Sequence, residues 1–144
     1  MIPLADGDPG ALFLPVNRNK RGLALNPTKP AGQRIVRQLV ATSDVVVANL
    51  PPQALESMGI DYASATKVKP DIILTPVDAF SKGGPWSDRL GFDGIGQSVS
   101  GAAYLSGNAE TPSKSFVQWV DSFSASAAAF GTMAALMDRS PAHL

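Results

Sequence analysis

The chain contains segments with two different hydrophobic patterns. From Ala31 to Thr42 the apolar side chains recur at helical spacing, with polar side chains gathered on the opposite face; the apolar set is Ile35, Val36, Leu39 and Val40. This spacing predicts an amphipathic helix. The segment DVVVANL, residues 44–50, follows, and its run of β-branched side chains predicts a strand buried on both faces.

The next segments repeat this order. A helix is predicted from Pro51 or Pro52 to Gly59, and a second short helix over residues 61–70. DIILTPV, residues 71–77, then predicts a second buried strand. The order of strand, helices and strand is typical of βαβ units, so the predicted class is α/β, with a Rossmann-like parallel sheet and flanking helices.

The flanking segments give less regular signals. RGLAL, residues 21–25, predicts a short strand, and a helix is expected from about Ile95 to Leu105. Between the second strand and that helix lies a loop rich in glycine and proline, residues 78–94. Loops of this kind line sites at the carboxyl ends of parallel strands.

One acid precedes a long run of small and apolar residues. In QWVDSFSASAAAFGTMAAL, residues 118–136, Asp121 is the only charged side chain, and a helix is predicted behind it. Asp121 can be the N-cap of that helix. It can also be a nucleophile, because the helix dipole and free backbone amides favour an ionised carboxylate there and the neighbouring small residues admit a bulky ligand. The two roles do not exclude each other.

Composition excludes several kinds of chemistry. The 144 residues carry twelve bases and twelve acids, so bulk attraction to nucleic acid or an anionic membrane is not indicated. The chain has no cysteine, and its only histidine is His143. Disulfides, thiolate catalysis, Ser-His-Asp relays and multi-histidine metal sites are therefore not expected. Neither a signal peptide nor a run of eighteen apolar residues is recognised, so we expect a cytoplasmic protein.

Two further motifs have alternative explanations. Gly94-Ile95-Gly96 resembles part of a dinucleotide fingerprint, but no strand directly precedes it and a third glycine is missing at the required position. NRNKRG, residues 17–22, gathers three cations and two amides. It can be a solvated turn, or a clamp for the phosphates of a nucleotide. Asn49, at the carboxyl end of a predicted strand, can be a turn residue or a ligand contact.

Taken together, these segments resemble the family III CoA-transferases. NRNKRGLALN is similar to the family's N-x-N-K-R-S-L-x-L-D, and GQRIVRQLVATSDVVVANL to its G-x6-L-x3-A-D-V-x-x-E-N-F. GGPWSDRLGFDGIGQSVSG is similar to its T-G-P-x5-G-Y-D-x3-Q-A-x-S-G. The segment around Asp121 matches the family's acid ahead of an Ala/Gly-rich helix.

The resemblance implies a chemistry and a set of site residues. Asp121 would be the nucleophile that attacks an acyl-CoA thioester, so that CoA moves to a carboxylic acid acceptor through an aspartyl intermediate. No metal is implied, and acyl-CoA is the substrate. The residues expected around the coenzyme are Asn17, Arg18, Lys20, Arg21, Asn49, Leu50 and Gln97.

Several positions depart from the family pattern. The family's glutamate, arginine and glycine in E-N-F-R-P-G are replaced by Ala48, Pro51 and Gln53, and a further arginine by Ser57. Phe92 takes the place of the histidine of the racemase branch, which favours the transferase branch because two-base proton exchange would lose a partner.

The resemblance also suggests how the chain is organised. Residues 1–144 would form part of the large domain, with residues 1–16 as a loop, 17–138 as the matching core and 139–144 as a tail. A homodimer or a complementing chain is the expected partner. Two alternatives stay open: a degenerate, noncatalytic homologue that binds CoA esters or supports a partner, and a generic Rossmann-like nucleotide-binding protein.

Overall fold

A computed structural model describes residues 13–108 and 110–139. In this part of the chain seven helices and two strands occur in the order α1 (Phe13–Val16), α2 (Pro30–Thr42), β1 (Val45–Ala48), α3 (Pro52–Met58), α4 (Tyr62–Val68), β2 (Ile73–Pro76), α5 (Asp93–Val99), α6 (Ala102–Ser106) and α7 (Trp119–Arg139).

The two strands form a parallel sheet, which confirms the predicted α/β class. Val45 is paired with Ile73, and the register continues to Ala48 and Pro76. Helices α3 and α4 form the connection between the strands. Gly59 ends α3 with a φ of +70°, in the left-handed region that glycine adopts without a Cβ penalty.

A small apolar core lies on one face of the sheet. Val40 of α2, Ala65 of α4 and Ile72, next to β2, are buried together. Val46 of β1 packs against this cluster. Because side chains alternate along a strand, Val45 and Val47 must point to the other face. Helices α2 and α4 therefore cover one face of the sheet, and β1 presents two valines on the other.

Helix α7 lies on that second face. The hydroxyl groups of Thr132 on α7 and Thr75 on β2 are 2.6 Å apart. At the last residue of the helix, Arg139 forms ion pairs of 2.8 Å with Asp44 and 3.4 Å with Asp71. Both acids precede strands, so α7 ends at the amino ends of the strands and its first turn points toward their carboxyl ends.

Three predicted elements differ from the observed ones. Arg21–Leu25 is not a strand, because the only sheet among the described residues is the pair of β1 and β2, and a strand needs a partner for its backbone groups. The helix expected from Ile95 to Leu105 is divided into α5 and α6 at Gly101, which has a φ of +80°. Phe13–Val16 forms one helical turn inside the expected loop. Residues 1–12 and His143 lie outside the described residues.

The ion pairs of Asp44 give the docking of α7 a pH dependence. The hydrogen bond from Arg139, with further contributions from Lys69, lowers the pKa of Asp44 below its ordinary value of 3.8. Since the folded-state pKa is depressed, the stabilisation is present above the unfolded pKa and is lost as the pH falls through the folded pKa.

We expect Asp44→Asn to lower the urea midpoint at about pH 7 and to have a shrinking effect below about pH 4. Urea titrations of both proteins across this range measure the difference. Asp138→Asn, which changes an exposed acid on α7, is the control, and its difference from wild type should not shrink as the pH falls. A difference between Asp44→Asn and wild type that is independent of pH would contradict the role of Asp44.

Candidate active site

A groove of about 970 Å³ runs between the open face of the sheet, α5 and α7. Its walls are mostly apolar and come from β1, the end of β2, α5 and the loop that follows β2; examples are Val45, Val47, Val77, Ile95 and Val99. Val47 is 66% exposed although it lies in a strand. A groove of this size and polarity is suited to an organic ligand.

One face of α7 forms a wall of the groove with small side chains. The lining residues of α7 recur every three or four positions and are Val120, Asp121, Ser124, Ala125, Ala128, Ala129, Thr132 and Met133. This spacing keeps them on one side of the helix. The Ala/Ser-rich composition of the segment therefore leaves room along the helix, and Asp121 lies at the end nearest the carboxyl ends of the strands.

Asp121 is not the N-cap of α7, contrary to the local interpretation of the sequence. The helix begins at Trp119, so Asp121 is its third residue, and its side chain is exposed in the groove. The first turn of a helix has free backbone N–H groups and favours negative charge. Asp121 can therefore be ionised and open to a ligand, as predicted, although it is the third residue of the helix and not its N-cap.

The capping group of α7 comes from a distant part of the chain. Asp93 of α5 is buried, and its Oδ1 accepts a 2.9 Å hydrogen bond from the backbone N–H of Val120. Its Oδ2 accepts a 2.6 Å bond from Nε2 of Gln97. A side chain from α5 therefore satisfies a backbone donor immediately before Asp121, which explains why the helix begins ahead of that residue.

Gln97, expected beside the coenzyme, is only 1% exposed. Its Oε1 accepts a 2.7 Å bond from the N–H of Ser115, and its Nε2 also donates to the carbonyl of Val117 at 3.3 Å. A direct contact with a ligand would require some of these bonds to break. The sequence analysis did not recognise this pair, although a spacing of four residues on a helix is a signal that can reveal it.

A second carboxylate, Asp78, also lines the groove. Its Oδ1 accepts a 2.5 Å hydrogen bond from the N–H of Ser81, a residue with a left-handed φ of +59°. Asp78 is therefore engaged in holding the turn after β2. Asp121 takes part in none of the three ion pairs formed within residues 13–108 and 110–139.

The other predicted site residues divide into two groups. Asn49 lines the groove with Asp121, and its Nδ2 donates a 3.0 Å bond to the carbonyl of Val77, which joins the ends of the two strands. Leu50 follows it but is not part of the groove wall. The structure thus brings Asn49 and Asp121 to one site.

The basic segment lies apart from this groove. Asn17 and Arg18 line a smaller pocket of about 470 Å³ next to α1, and Nζ of Lys20 donates to Oδ1 of Asn17 at 3.1 Å. Arg21 follows and is exposed. None of these four residues lines the groove that contains Asp121.

The glycines of the Gly94-Ile95-Gly96 motif lie inside α5, not in a turn between a strand and a helix. A Cβ on Gly96 would come within 2.7 Å of Cγ1 of Val120. Gly96 therefore permits the close approach of α5 and α7, which is a packing role and not a phosphate-binding one.

Comparison with known proteins decides the family. A family model described as CoA-transferase family III matches residues 1–142. The chain belongs to CoA-transferase family III. This confirms the resemblance inferred from the sequence motifs.

Relatives of this family III chain are much longer. It is 41% identical over 95 residues to the succinyl-CoA:glutarate CoA-transferase of Mus musculus, covering 66% of this chain and 22% of that protein. It is 39% identical over 105 residues to the succinyl-CoA–L-malate CoA-transferase beta subunit of Chloroflexus aurantiacus, covering 73% and 26%. A crystal structure of a CAIB/BAIF family protein from Brucella suis is similar with a TM-score of 0.78 and 30% identity, covering 83% and 32%. The chain thus spans a third or less of these proteins.

Within residues 13–108 and 110–139, no helix is both long and apolar enough to cross a membrane. In the same part of the chain, no group of three or more acidic, histidine or cysteine side chains is arranged to hold a metal ion.

Proposed function

We propose that this chain carries the nucleophile of a CoA-transferase and that Asp121 is that residue. The observation that carries the proposal is the exposed carboxylate of Asp121 at one end of a groove walled by small side chains, in a chain that matches the family over residues 1–142. Of the two carboxylates in the groove, Asp78 is engaged in a turn, which leaves Asp121 as the better nucleophile.

The proposed reaction conserves the thioester in four steps. An oxygen of Asp121 attacks the acyl-CoA carbonyl carbon, the C–S bond breaks, and CoA leaves as the thiolate with the bonding electrons. The thiolate then attacks the aspartyl carbonyl of the mixed anhydride and expels the donor acid, which gives an aspartyl-CoA thioester. An acceptor carboxylate attacks this thioester and again releases the thiolate. Attack of the thiolate on the acceptor carbonyl forms the new acyl-CoA and restores Asp121.

The coenzyme is proposed to extend from the groove toward the basic segment. The acyl group and the end of the pantetheine arm would lie beside Asp121 and Asn49, with Leu50 close to the same strand end. The cations Arg18, Lys20 and Arg21, with Asn17, would share the charge of the phosphates. Gln97 enters this proposal through the hydrogen bonds that it makes below the groove.

The acids are proposed from the relatives. The two curated relatives described above are named for succinyl-CoA with glutarate or L-malate. Succinyl-CoA is therefore the donor to use first, with glutarate or malate as acceptors. We place the reaction in the cytoplasm, as expected from the sequence.

The experiment that tests the proposal uses the aspartyl-CoA thioester. The chain is incubated with succinyl-CoA, treated with hydroxylamine, and followed by intact mass spectrometry. We expect an adduct before treatment and a hydroxamate after it. Binding of CoA in calorimetry without any adduct would overturn the catalytic proposal and support the second candidate, a noncatalytic CoA-ester-binding homologue.

A specific observation favours that second candidate. Position 57, where the family commonly has arginine, is a serine whose carbonyl accepts a bond from Gln33 and whose hydroxyl donates to the carbonyl of Ala54. Ser57 therefore takes part in local packing and brings no cation to a phosphate. The alanine at position 48 and the proline at position 51 remove two further polar groups.

We also propose that a second polypeptide covers the exposed apolar surface. Helix α7 has no buried residue, and Phe123, Phe130, Met133 and Met137 are 63–78% exposed. An apolar surface of this kind is typical of an interaction site. The candidates are a second copy of this chain and a complementing family III chain.

Sedimentation of the purified chain tests this proposal. A mass of twice 15.0 kDa is expected for the homodimer. A mass of 15.0 kDa, with CoA transfer appearing only after a complementing chain is added, would support the second partner. A chain of 15.0 kDa that transfers CoA alone would contradict both.

A further inference from the structure

We propose that Asp93 is a positioning residue, which acts with Gln97 to hold the backbone of Asp121 in the orientation needed for attack. The inference rests on the proposed function of Asp121. Asp93 and Gln97 are 4% and 1% exposed, and they are the buried polar side chains among the described residues. Neither is part of the groove wall.

The first contact acts on the residue next to the nucleophile. Val120 is the second residue of α7, so its N–H is one of the donors that have no partner within the helix. Oδ1 of Asp93 accepts this N–H at 2.9 Å. A buried acceptor at this point fixes the start of the helix, and Asp121 follows by one peptide bond.

The second contact acts on the chain that enters the helix. Oδ2 of Asp93 is bound by Gln97 at 2.6 Å, and Gln97 in turn holds the N–H of Ser115 at 2.7 Å and the carbonyl of Val117 at 3.3 Å. Two side chains of α5 therefore hold the backbone on both sides of Gln118. Gly96 also lets α5 approach Val120 closely, so the two helices are in close contact at this point.

This arrangement has a direct consequence for catalysis. A displacement of about 1 Å in a reacting group can cost about 10²-fold in rate. Loss of the pair would leave the partly buried N–H of Val120 or Ser115 without an acceptor, and the first turn of α7 would shift or fray to reach water. The rate of attack by Asp121 would fall, and the affinity of the basic segment for CoA would not.

The test is a cycle of Asp93→Asn, Gln97→Glu and the double variant. In Asp93→Asn the new amide nitrogen faces the amide nitrogen of Gln97, so two donors oppose each other. In the double variant the amide and the carboxylate have changed places, and the bond between residues 93 and 97 can form again. Two measurements are made: the rate of adduct formation at saturating succinyl-CoA, and hydrogen exchange of the amides of residues 120–122.

We expect Asp93→Asn to slow adduct formation by about 10- to 100-fold, to speed amide exchange, and to leave the Kd of CoA unchanged. The double variant should recover part of the rate. The control is Asp88→Asn, which alters another Asp–Gln pair, the exposed 2.9 Å bond between Asp88 and Gln53, and it should react like wild type.

The outcomes separate this inference from the proposed function. Adduct formation by Asp93→Asn at the wild-type rate would overturn the inference and leave the function intact. No adduct with the wild-type chain would overturn the proposed function itself. If Asp93→Asn does not fold, the double variant decides: a folded double variant that stays as slow as Gln97→Glu overturns the inference, and a recovered rate supports it.

Discussion

Replacement of Asp121 by asparagine is expected to lower the rate of adduct formation from succinyl-CoA by at least about 10³-fold, as for the loss of other covalent nucleophiles. The amide nearly preserves the size of the side chain, so the groove and the first turn of α7 should keep their shape. It cannot supply the anionic oxygen that forms the mixed anhydride. The CoA affinity measured by calorimetry should therefore stay close to that of wild type.

Asp78→Asn is the matched control, because Asp78 lies in the same groove and the asparagine can still accept the bond from Ser81. We expect this variant to form the adduct at nearly the wild-type rate. If Asp78→Asn loses the adduct and Asp121→Asn retains it, then Asp78 is the nucleophile and the assignment to Asp121 is wrong.

Ile72→Ala is expected to have the largest effect on stability, a loss of about 2–5 kcal/mol in the free energy of unfolding. Ile72 is 4% exposed and packs with Val40 and Ala65 behind the sheet. Removal of its side chain would leave a cavity where α2 and α4 meet the sheet. Urea unfolding followed by circular dichroism measures the change.

The same substitution at Ile35 provides the control. Ile35 lies on α2 but is 41% exposed, so Ile35→Ala removes the same atoms with much less loss of buried contact. We expect its cost to be well below that of Ile72→Ala. Equal losses at the two positions would contradict the assignment of the core to this face of the sheet.

The elements that the sequence predicted well are those whose signals are local. The predicted helix at Ala31–Thr42 is observed at Pro30–Thr42, where apolar spacing and Pro30 act within a few residues. Gly59 ends α3 as expected, since a left-handed residue at a helix end favours glycine. Both strands were also recognised, because their β-branched and apolar runs are continuous.

The predictions differ from the structure where the local conformation depends on residues that are far apart in the sequence. The start of α7 depends on Asp93, which lies 27 residues before Val120, and no local pattern contains that contact. The hydrogen bonds of Gln97 with Ser115 and Val117 are likewise contacts between distant residues that no local pattern contains, and its place beside the coenzyme stays a prediction. The strand expected at Arg21–Leu25 failed because strand propensity does not supply a neighbouring strand.

The candidate site was predictable in part. Asp121 and Asn49, far apart in the sequence, line one groove because α7 runs back over the sheet and brings its first turn to the strand ends. The sequence pattern singled out both residues, and the family resemblance suggested a role for each. It did not reveal that Asp78 shares the groove, or that the small side chains of α7 form its wall, since these facts depend on the packing of α7 against β2.

The most direct measurement locates the covalent bond. The chain is incubated with succinyl-CoA, treated with hydroxylamine and digested, and the peptides are sequenced by tandem mass spectrometry. The account predicts a hydroxamate on Asp121, in the peptide that contains the first turn of α7. A hydroxamate on Asp78 or Asp93, or an adduct that forms without modification of Asp121, would contradict it.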